Sequence, residues 1–476
     1  MIDVLIIGGG VIGGLILREL TKYTVSCALV EKESDVAMGA SKANSGIVHA
    51  GFDAKENSLK AKFNVLGNEM MPDVCRDLGV KYKNNGSLVV AFSDQDEKTL
   101  DELKKRGEIN GVPDLEIINR NTLKNMEPHI SDNARSALYA RTGGIVCPYE
   151  LTIASVGNAM DNGAELFLSF DVCAIDNRNG CFTVKSADGR EICAKTLINC
   201  AGLGAQKIAN LSGDYSFEIG ARKGEYILLD REVGDFCSHT LFFTPTEKGK
   251  GILITNTVDG NILLGPTAEV QNDGNTATSS TGLSSITNRA TEMCSQIPFD
   301  KTITSFAGVR AFSDRHDFVI EESKTVSGLI NVSGIESPGL TSAPAIAKYV
   351  VEEIVSTRHE LIINSKFNGV RVPDTFFKDM TVEQKNQLIK RDPSFGKIVC
   401  RCEQVTEGEI LHAIRSNPKA TDIDGVKRRT RSGMGRCQGG FCQPYIAELL
   451  AREMGTDITE ITKKGKNSLL LKGVTK

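Results

Sequence analysis

The 476-residue sequence predicts an α/β (α+β) fold, with a doubly wound nucleotide-binding domain, an antiparallel sheet inserted into it, and a small helical domain at the C-terminus. Three observations predict it. A glycine-rich turn follows an apolar strand at the very start, strand-like segments crowd the middle of the chain, and four cysteines gather between residues 400 and 442.

Length and composition set the limits. The chain is too long for one ordinary core, with room for two or three folding units and a large buried cofactor. Hydrophobic residues at 40% and charged residues at 24% exclude a disordered or fibrous class. A net charge of -4, from 56 basic and 60 acidic side chains well interspersed, supplies no positive field for nucleic acid. The apolar start runs into Gly8 without a basic leader, and no later run reaches the roughly 18 apolar residues of a membrane span. A cytoplasmic protein is therefore expected, one that meets a membrane only through a partner. The 13 cysteines suit a reducing compartment. Nine, from Cys27 to Cys294, are scattered singly like small buried hydrophobes, whereas Cys400, Cys402, Cys437 and Cys442 cluster.

The first element is the strand Asp3–Ile7. It ends in a turn whose Gly8, Gly10 and Gly13 fit G-x-G-x-x-G, followed by a helical pattern in Leu15, Ile16, Leu17 and Leu20. Glycines are needed there for a tight turn and for close approach of backbone to a pyrophosphate, which the helix N-terminus also attracts. A second strand, Val25–Val30, ends at Glu31, 23 residues after Gly8 and placed to accept hydrogen bonds from ribose hydroxyls. This is a complete Rossmann-type βαβ unit.

Further strands are predicted at Ser87–Phe92, Glu165–Phe170, Phe182–Lys185, Thr196–Cys200, Tyr226–Leu229, Gly251–Thr255 and Ile262–Leu264, with a helix over Leu59–Leu78. The implied domains are 1–357 for the nucleotide-binding and substrate parts, 358–392 as a polar connector, 393–460 as the cysteine domain and 461–476 as a tail. Within the first, about 1–85, 145–215 and 305–357 bind the nucleotide, and about 86–144 and 216–304 form the substrate part.

FAD is expected in place of NAD because of the segment after Glu31. Small and hydroxylated residues there, Ser41, Ser45 and Gly46 among them, suit a pyrophosphate and a flavin edge. The strand Thr196–Cys200 turns at Ala201–Gly202, and Leu329–Val332 turns at Gly334 into Ser337–Pro338–Gly339–Leu340–Thr341, a loop feeding a helix that starts near Thr341. A helix N-terminus aimed at the flavin N1/C2=O edge stabilises the reduced anionic ring. Val172, Ala201, Gly202, Gly334, Gly339, Leu340 and Thr341 complete the expected FAD contacts.

Several stretches resemble the FAD-linked glycerol-3-phosphate oxidases and dehydrogenases of the D-amino-acid-oxidase-like superfamily: Ala43–His49, Arg222–Tyr226, Gly249–Gly251, Leu264–Thr267, Phe306–Arg310 and Ser337–Thr341. The similarity spans about residues 1 to 355. It implies that His49 stands beside flavin and substrate hydroxyl as base or orienter, that Arg310 and Lys250 grip a phosphate, and that Ser337 adds a hydrogen bond.

Cys400-x-Cys402 and Cys437-x4-Cys442 make two short-spaced thiolate pairs, a donor set that suits iron-sulfur or zinc. Val399–Glu403 resembles the bacterioferritin-associated-ferredoxin-like domain, which implies a 2Fe-2S cluster. The nearby Lys427, Arg428, Arg429, Arg431 and Arg436 are expected mostly on a solvated helix face, some of them offsetting cluster charge or meeting an acidic partner.

Together these expectations describe a dehydrogenase that oxidises a small phosphorylated alcohol, sn-glycerol 3-phosphate first, by hydride transfer to flavin, with electrons leaving through the cluster to a partner subunit or quinone pathway. Two alternatives remain open: the same chemistry on L-2-hydroxyglutarate or another hydroxy or amino acid, and a non-catalytic electron-transfer subunit.

Overall fold

Apolar β-branched runs and glycine turns build a mixed α/β molecule from two large sheets. A computed structural model describes residues 1–178, 180–245, 251–372 and 377–473. The first sheet has eight strands. Its parallel centre runs Leu329–Ser333, Glu191–Asn199, Ile2–Ile7, Cys27–Val30 and Glu165–Phe167, with antiparallel strands added at both the Leu329–Ser333 and Glu191–Asn199 margins. Ile2–Ile7 lies at the middle because its residues are apolar on both faces, and Val4, Leu5 and Ile6 are fully buried. The helices Val11–Leu20, Pro148–Asp161 and Gly339–Tyr349 cover one face.

The second sheet has nine strands and is largely antiparallel, as the strand-rich middle predicts. Its backbone is the long pair Ile219–Leu229 and Thr302–Ser313, in register from Ile219 opposite Ser313 to Leu229 opposite Thr302. A three-stranded sheet of Ile47–Val48, Gly144–Val146 and Tyr82–Lys83 joins the two layers and delivers His49 to the gap between them.

The helix Leu59–Leu78 has the bounds the apolar periodicity predicts. Ser58 caps it by accepting from Ala61 N–H, and Gly79 ends it at φ +66°. The helix expected near Thr341 begins two residues earlier, at Gly339. The polar connector carries a helix of its own, Val382–Arg391, closed by a Thr381–Gln384 capping box.

The C-terminal domain is helical: Glu407–Arg415, Ile423–Thr430 and Gln443–Met454 pack around Ile410, Val426 and Leu450. Its basic residues overturn the expected solvated face. Arg428, Arg429 and Arg431 are buried, because Asp35 of the nucleotide domain pairs with the first two and Asp259 and Glu403 with the third. Arg436 is exposed and pairs with Asp230 and Glu232. Of the nine scattered cysteines, six are buried as expected; Cys173 and Cys193 are exposed and Cys181 is half-buried, all on the antiparallel margin of the first sheet.

Candidate active site and cluster site

The nucleotide turn closes through contacts that only glycine permits. Gly8 has φ +117°, and a Cβ there would meet the Cys200 carbonyl oxygen at 2.4 Å. A Cβ on Gly13 would meet the Gly8 oxygen at 2.1 Å. Ser41 Oγ accepts from Val11 N–H at 2.9 Å and so ties the loop after Glu31 to the first turn of the helix Val11–Leu20. Glu31 accepts from Gly9 N–H at 2.6 Å and from Glu33 N–H at 2.9 Å; burial raises its pKa against those hydrogen bonds.

This turn is one end of a cavity of about 1130 Å3. Gly8, Gly10, Glu31 and Ser41 line that end together with Val172, Ala201 and Gly202. Ser45, Gly339 and Leu340 line it toward the other end, where His49, Ser337 and Arg310 stand. Four other candidates lie behind the wall. Gly13 packs on Gly8; Gly46, at φ +67°, lies where a Cβ would be 2.6 Å from Val146 O; and Gly334, at φ +66°, packs against Ser313. Thr341 is wholly buried, and its Oγ1 accepts from His49 N–H at 2.9 Å. Thr341 therefore positions His49 and does not border the cavity. Lys250 lies outside the described residues.

His49 is held from both sides. Its carbonyl accepts from Asn64 Nδ2 at 2.6 Å and Asn68 Nδ2 at 3.1 Å, its ring lies 5.9 Å from that of Phe242, and Nε2 is 3.4 Å from Ser337 Oγ. Arg310 projects from the strand Thr302–Ser313. Its Nη2 donates to Thr267 O at 2.9 Å, and its buried Nε has no acceptor among the described residues. A buried guanidinium donor left open is a place for a ligand oxygen.

Sequence reasoning missed three charged residues of this wall: Lys60, Arg222 and Glu336. Glu336 accepts from Lys60 Nζ at 2.9 Å and from Arg222 Nη1 at 2.8 Å. Arg222 lies in the stretch Arg222–Tyr226 that carries the family resemblance, but only strand pairing shows which way it faces.

The four tail cysteines fall into two couples. Cys402 Sγ lies 3.5 Å from Cys437 Sγ, and Cys400 is hydrogen-bonded to Cys442. Two thiolates on one tetrahedral metal with ~2.3 Å bonds sit about 3.8 Å apart, close to the separation of Cys402 and Cys437. The hydrogen bond from Cys442 brings the Cys400 thiol down to about 6. Burial pushes the Cys437 thiol up, but hydrogen bonds from Cys402 and from the Gly439, Phe441 and Gly440 N–H groups lower it overall. The loop 437–442 is thus built to hold negative sulfur.

A family model described as FAD dependent oxidoreductase matches residues 3–353. The chain belongs to this family. A second model, the BFD-like [2Fe-2S] binding domain, matches residues 398–452. Over its full length the chain is 48% identical to a glycerol 3-phosphate dehydrogenase of Caloramator mitchellensis, covering 99% of that protein. It is 34% identical to a glycerol 3-phosphate oxidase of Mycoplasma genitalium, over 74% of this chain and 94% of that one. An FAD-bound L-alpha-glycerophosphate oxidase of Mycoplasma pneumoniae superposes with a TM-score of 0.75 at 28% identity, covering 78% of this chain and 99% of that one.

As an FAD-dependent oxidoreductase the chain carries FAD and a 2Fe-2S cluster. The glycine cradle at 8–13 and Glu31 suit the FAD nucleotide, and the two cysteine couples supply the four thiolates that a binuclear cluster takes. Among the described residues no helix is long and apolar enough to cross a membrane.

Proposed function

We propose that the enzyme oxidises the C2 hydroxyl of sn-glycerol 3-phosphate, giving dihydroxyacetone phosphate. When bound, FAD supplies a hydride acceptor and the cluster a one-electron exit. The observation that carries the proposal is the convergence, in one cavity, of the nucleotide cradle, the His49–Ser337 pair and Arg310 with its open Nε. In this reading Arg310 holds the phosphate by its planar fork and Lys250 adds a second cation. His49 Nε2 takes the C2 hydroxyl proton, with Ser337 Oγ orienting ring and hydroxyl. Thr341, Asn64 and Asn68 fix the His49 backbone, so the ring meets the substrate in one place.

The oxidation releases two electrons and two protons: one proton leaves with the hydride and one through His49. The cluster, when bound, would let those electrons leave singly toward a partner subunit or quinone pathway. The same donors also suit a 2-hydroxy acid, so the test sets the two substrates side by side. Holoenzyme is mixed anaerobically with sn-glycerol 3-phosphate and with L-2-hydroxyglutarate, and flavin absorbance at about 450 nm is followed together with the cluster signal. Rapid bleaching by the phosphorylated alcohol, then reduction of the cluster, is the expected result. Bleaching by the hydroxy acid alone would replace the substrate assignment.

A further inference from the structure

Arg222 and Arg310 are register partners across the antiparallel strands Ile219–Leu229 and Thr302–Ser313. Residues directly opposite in such a pair project to the same face with Cβ atoms about 5 Å apart, and like charges so placed destabilise the sheet. Both arginines line the cavity. Gly224 leaves room for them, since a Cβ there would lie 2.9 Å from Arg310 Nη2.

Glu336 is the carboxylate that Arg222 shares with Lys60, one oxygen for each. Arg310, by contrast, meets the neutral carbonyl of Thr267. Lys60, Arg222 and Arg310 outnumber the carboxylates of Glu336 and Asp317, so this wall is net positive. Arg315 pairs with Glu321, and Asp317 keeps its charge while accepting from the N–H groups of Leu59 and Lys60 at the start of the helix Leu59–Leu78; Asp53, Lys55 and Glu56 line the same cavity. A phosphate monoester, at about -1.5 to -2 at pH 7, presents three charged oxygens to the two arginines, whereas a single carboxylate presents two and less charge. Arg222 also lies over the Phe312 ring at 4.7 Å, which keeps its plane set with Nη1 toward Glu336.

We propose that Arg222 is a second arginine ligand of the substrate phosphate, and that Glu336 holds its place until the phosphate arrives. Selectivity for phosphate over carboxylate then comes from the arginine pair, with Arg310 permanently open and Arg222 exchanging from Glu336 to the phosphate. This rests on the phosphorylated-substrate reading above.

The test uses FAD-loaded holoenzyme and the variants R222Q, R222K and E336Q. Inorganic phosphate and D-glycerate are titrated while the flavin spectrum is followed, and KM and kcat are measured with sn-glycerol 3-phosphate. Loss of a charge-assisted contact predicts that R222Q weakens inorganic phosphate and raises KM by about tenfold or more, with a smaller fall in kcat. Glycerate binding changes less than about threefold, R222K falls between wild type and R222Q, and E336Q tightens phosphate because the competing carboxylate is gone. Should R222Q lose FAD, R222K carries the same comparison. Unchanged phosphate affinity and KM in an FAD-loaded Arg222 variant would overturn the inference and leave Arg222 as a structural partner of Glu336. A wild type that binds phosphate through Arg222 yet is not reduced by sn-glycerol 3-phosphate would overturn the substrate and leave the arginine pair standing.

Discussion

Replacing Asp35 by Asn tests what holds the cluster domain to the nucleotide domain. Asp35 is buried and accepts from Arg428 Nη2 at 2.6 Å and from Arg429 Nη1 and Nη2 at 2.8 and 2.9 Å. The substitution keeps the shape and removes the charge, so two buried guanidiniums lose their counter-ion. Removing one partner of a buried pair costs about 3–5 kcal/mol, and the amide's remaining acceptor puts D35N near the lower end, about 3 kcal/mol. That is roughly a 100-fold change in the equilibrium for opening the interface, at ~1.36 kcal/mol per decade. The assay is guanidinium denaturation of the holoenzyme, with loss of visible cluster absorbance reporting on the C-terminal domain. The double variant D35N/R428M removes one of the stranded charges and should recover part of the loss. Burial raises the Asp35 pKa, but Arg429 and Arg428 lower it overall. Its contribution is therefore fully present above the unfolded carboxylate value of about 3.9 and fades as pH falls through the lower folded value. A loss under about 1 kcal/mol, or no recovery in the double variant, would refute the idea that this triad clamps the domain.

Four further outcomes follow from the same contacts. Gly8→Ala should purify with most of its FAD missing, read from the ratio of flavin to protein absorbance, because its Cβ would press on the Cys200 carbonyl at 2.4 Å. Cys437→Ser should lose the cluster's visible and paramagnetic signals while retaining FAD, since the cluster site and the cavity share no residue. Thr341→Val removes the acceptor of His49 N–H and should lower kcat about fivefold with FAD retained, the worth of about 1 kcal/mol for one hydrogen bond. Glu150, raised to about 8 by burial and by Asp259, should cost stability increasingly as pH climbs from its unfolded value of about 4.3. E150Q should therefore gain thermal stability over wild type across that interval, and equal melting temperatures at pH 5 and pH 8 would count against the shift.

The parts legible in the sequence were those with local rules. The contact of Gly13 with the Gly8 oxygen is a backbone constraint within six residues, and the helix Leu59–Leu78 announces itself through spacing and a Ser58 cap. The paired spacing of Cys400, Cys402, Cys437 and Cys442 likewise needs no tertiary knowledge. What stayed hidden depends on contacts between distant residues. Arg428 and Arg429 read as solvent-facing because Asp35, their counter-ion, lies nearly 400 residues away in the chain. Thr341 reads as a cofactor contact because a hydroxyl at a helix start suits one, yet the strand that leads to His49 consumes it. Arg222 has no direction until its strand is paired, and the same pairing makes it the neighbour of Arg310.

The placement of the cluster domain has a consequence for electron flow. It is fastened to the nucleotide domain at Asp35, and to the substrate domain at Asp259 and Asn261 through Arg431 and at Asp230 and Glu232 through Arg436. Arg231 also donates to the carbonyl oxygen of Cys402, one of the four candidate cluster cysteines, at 2.8 Å. Swinging this domain between a donor and an acceptor would break the exposed Arg436 pairs and the buried pairs at Asp35 and Arg431, and the buried ones are costly to leave unpaired. In the proposed cycle, electron exit would then depend on fixed separation and cluster potential, not on domain motion. On that basis solvent viscosity should leave the rate of cluster reduction unchanged, whereas D35N, by loosening one of the fastenings, should make it sensitive.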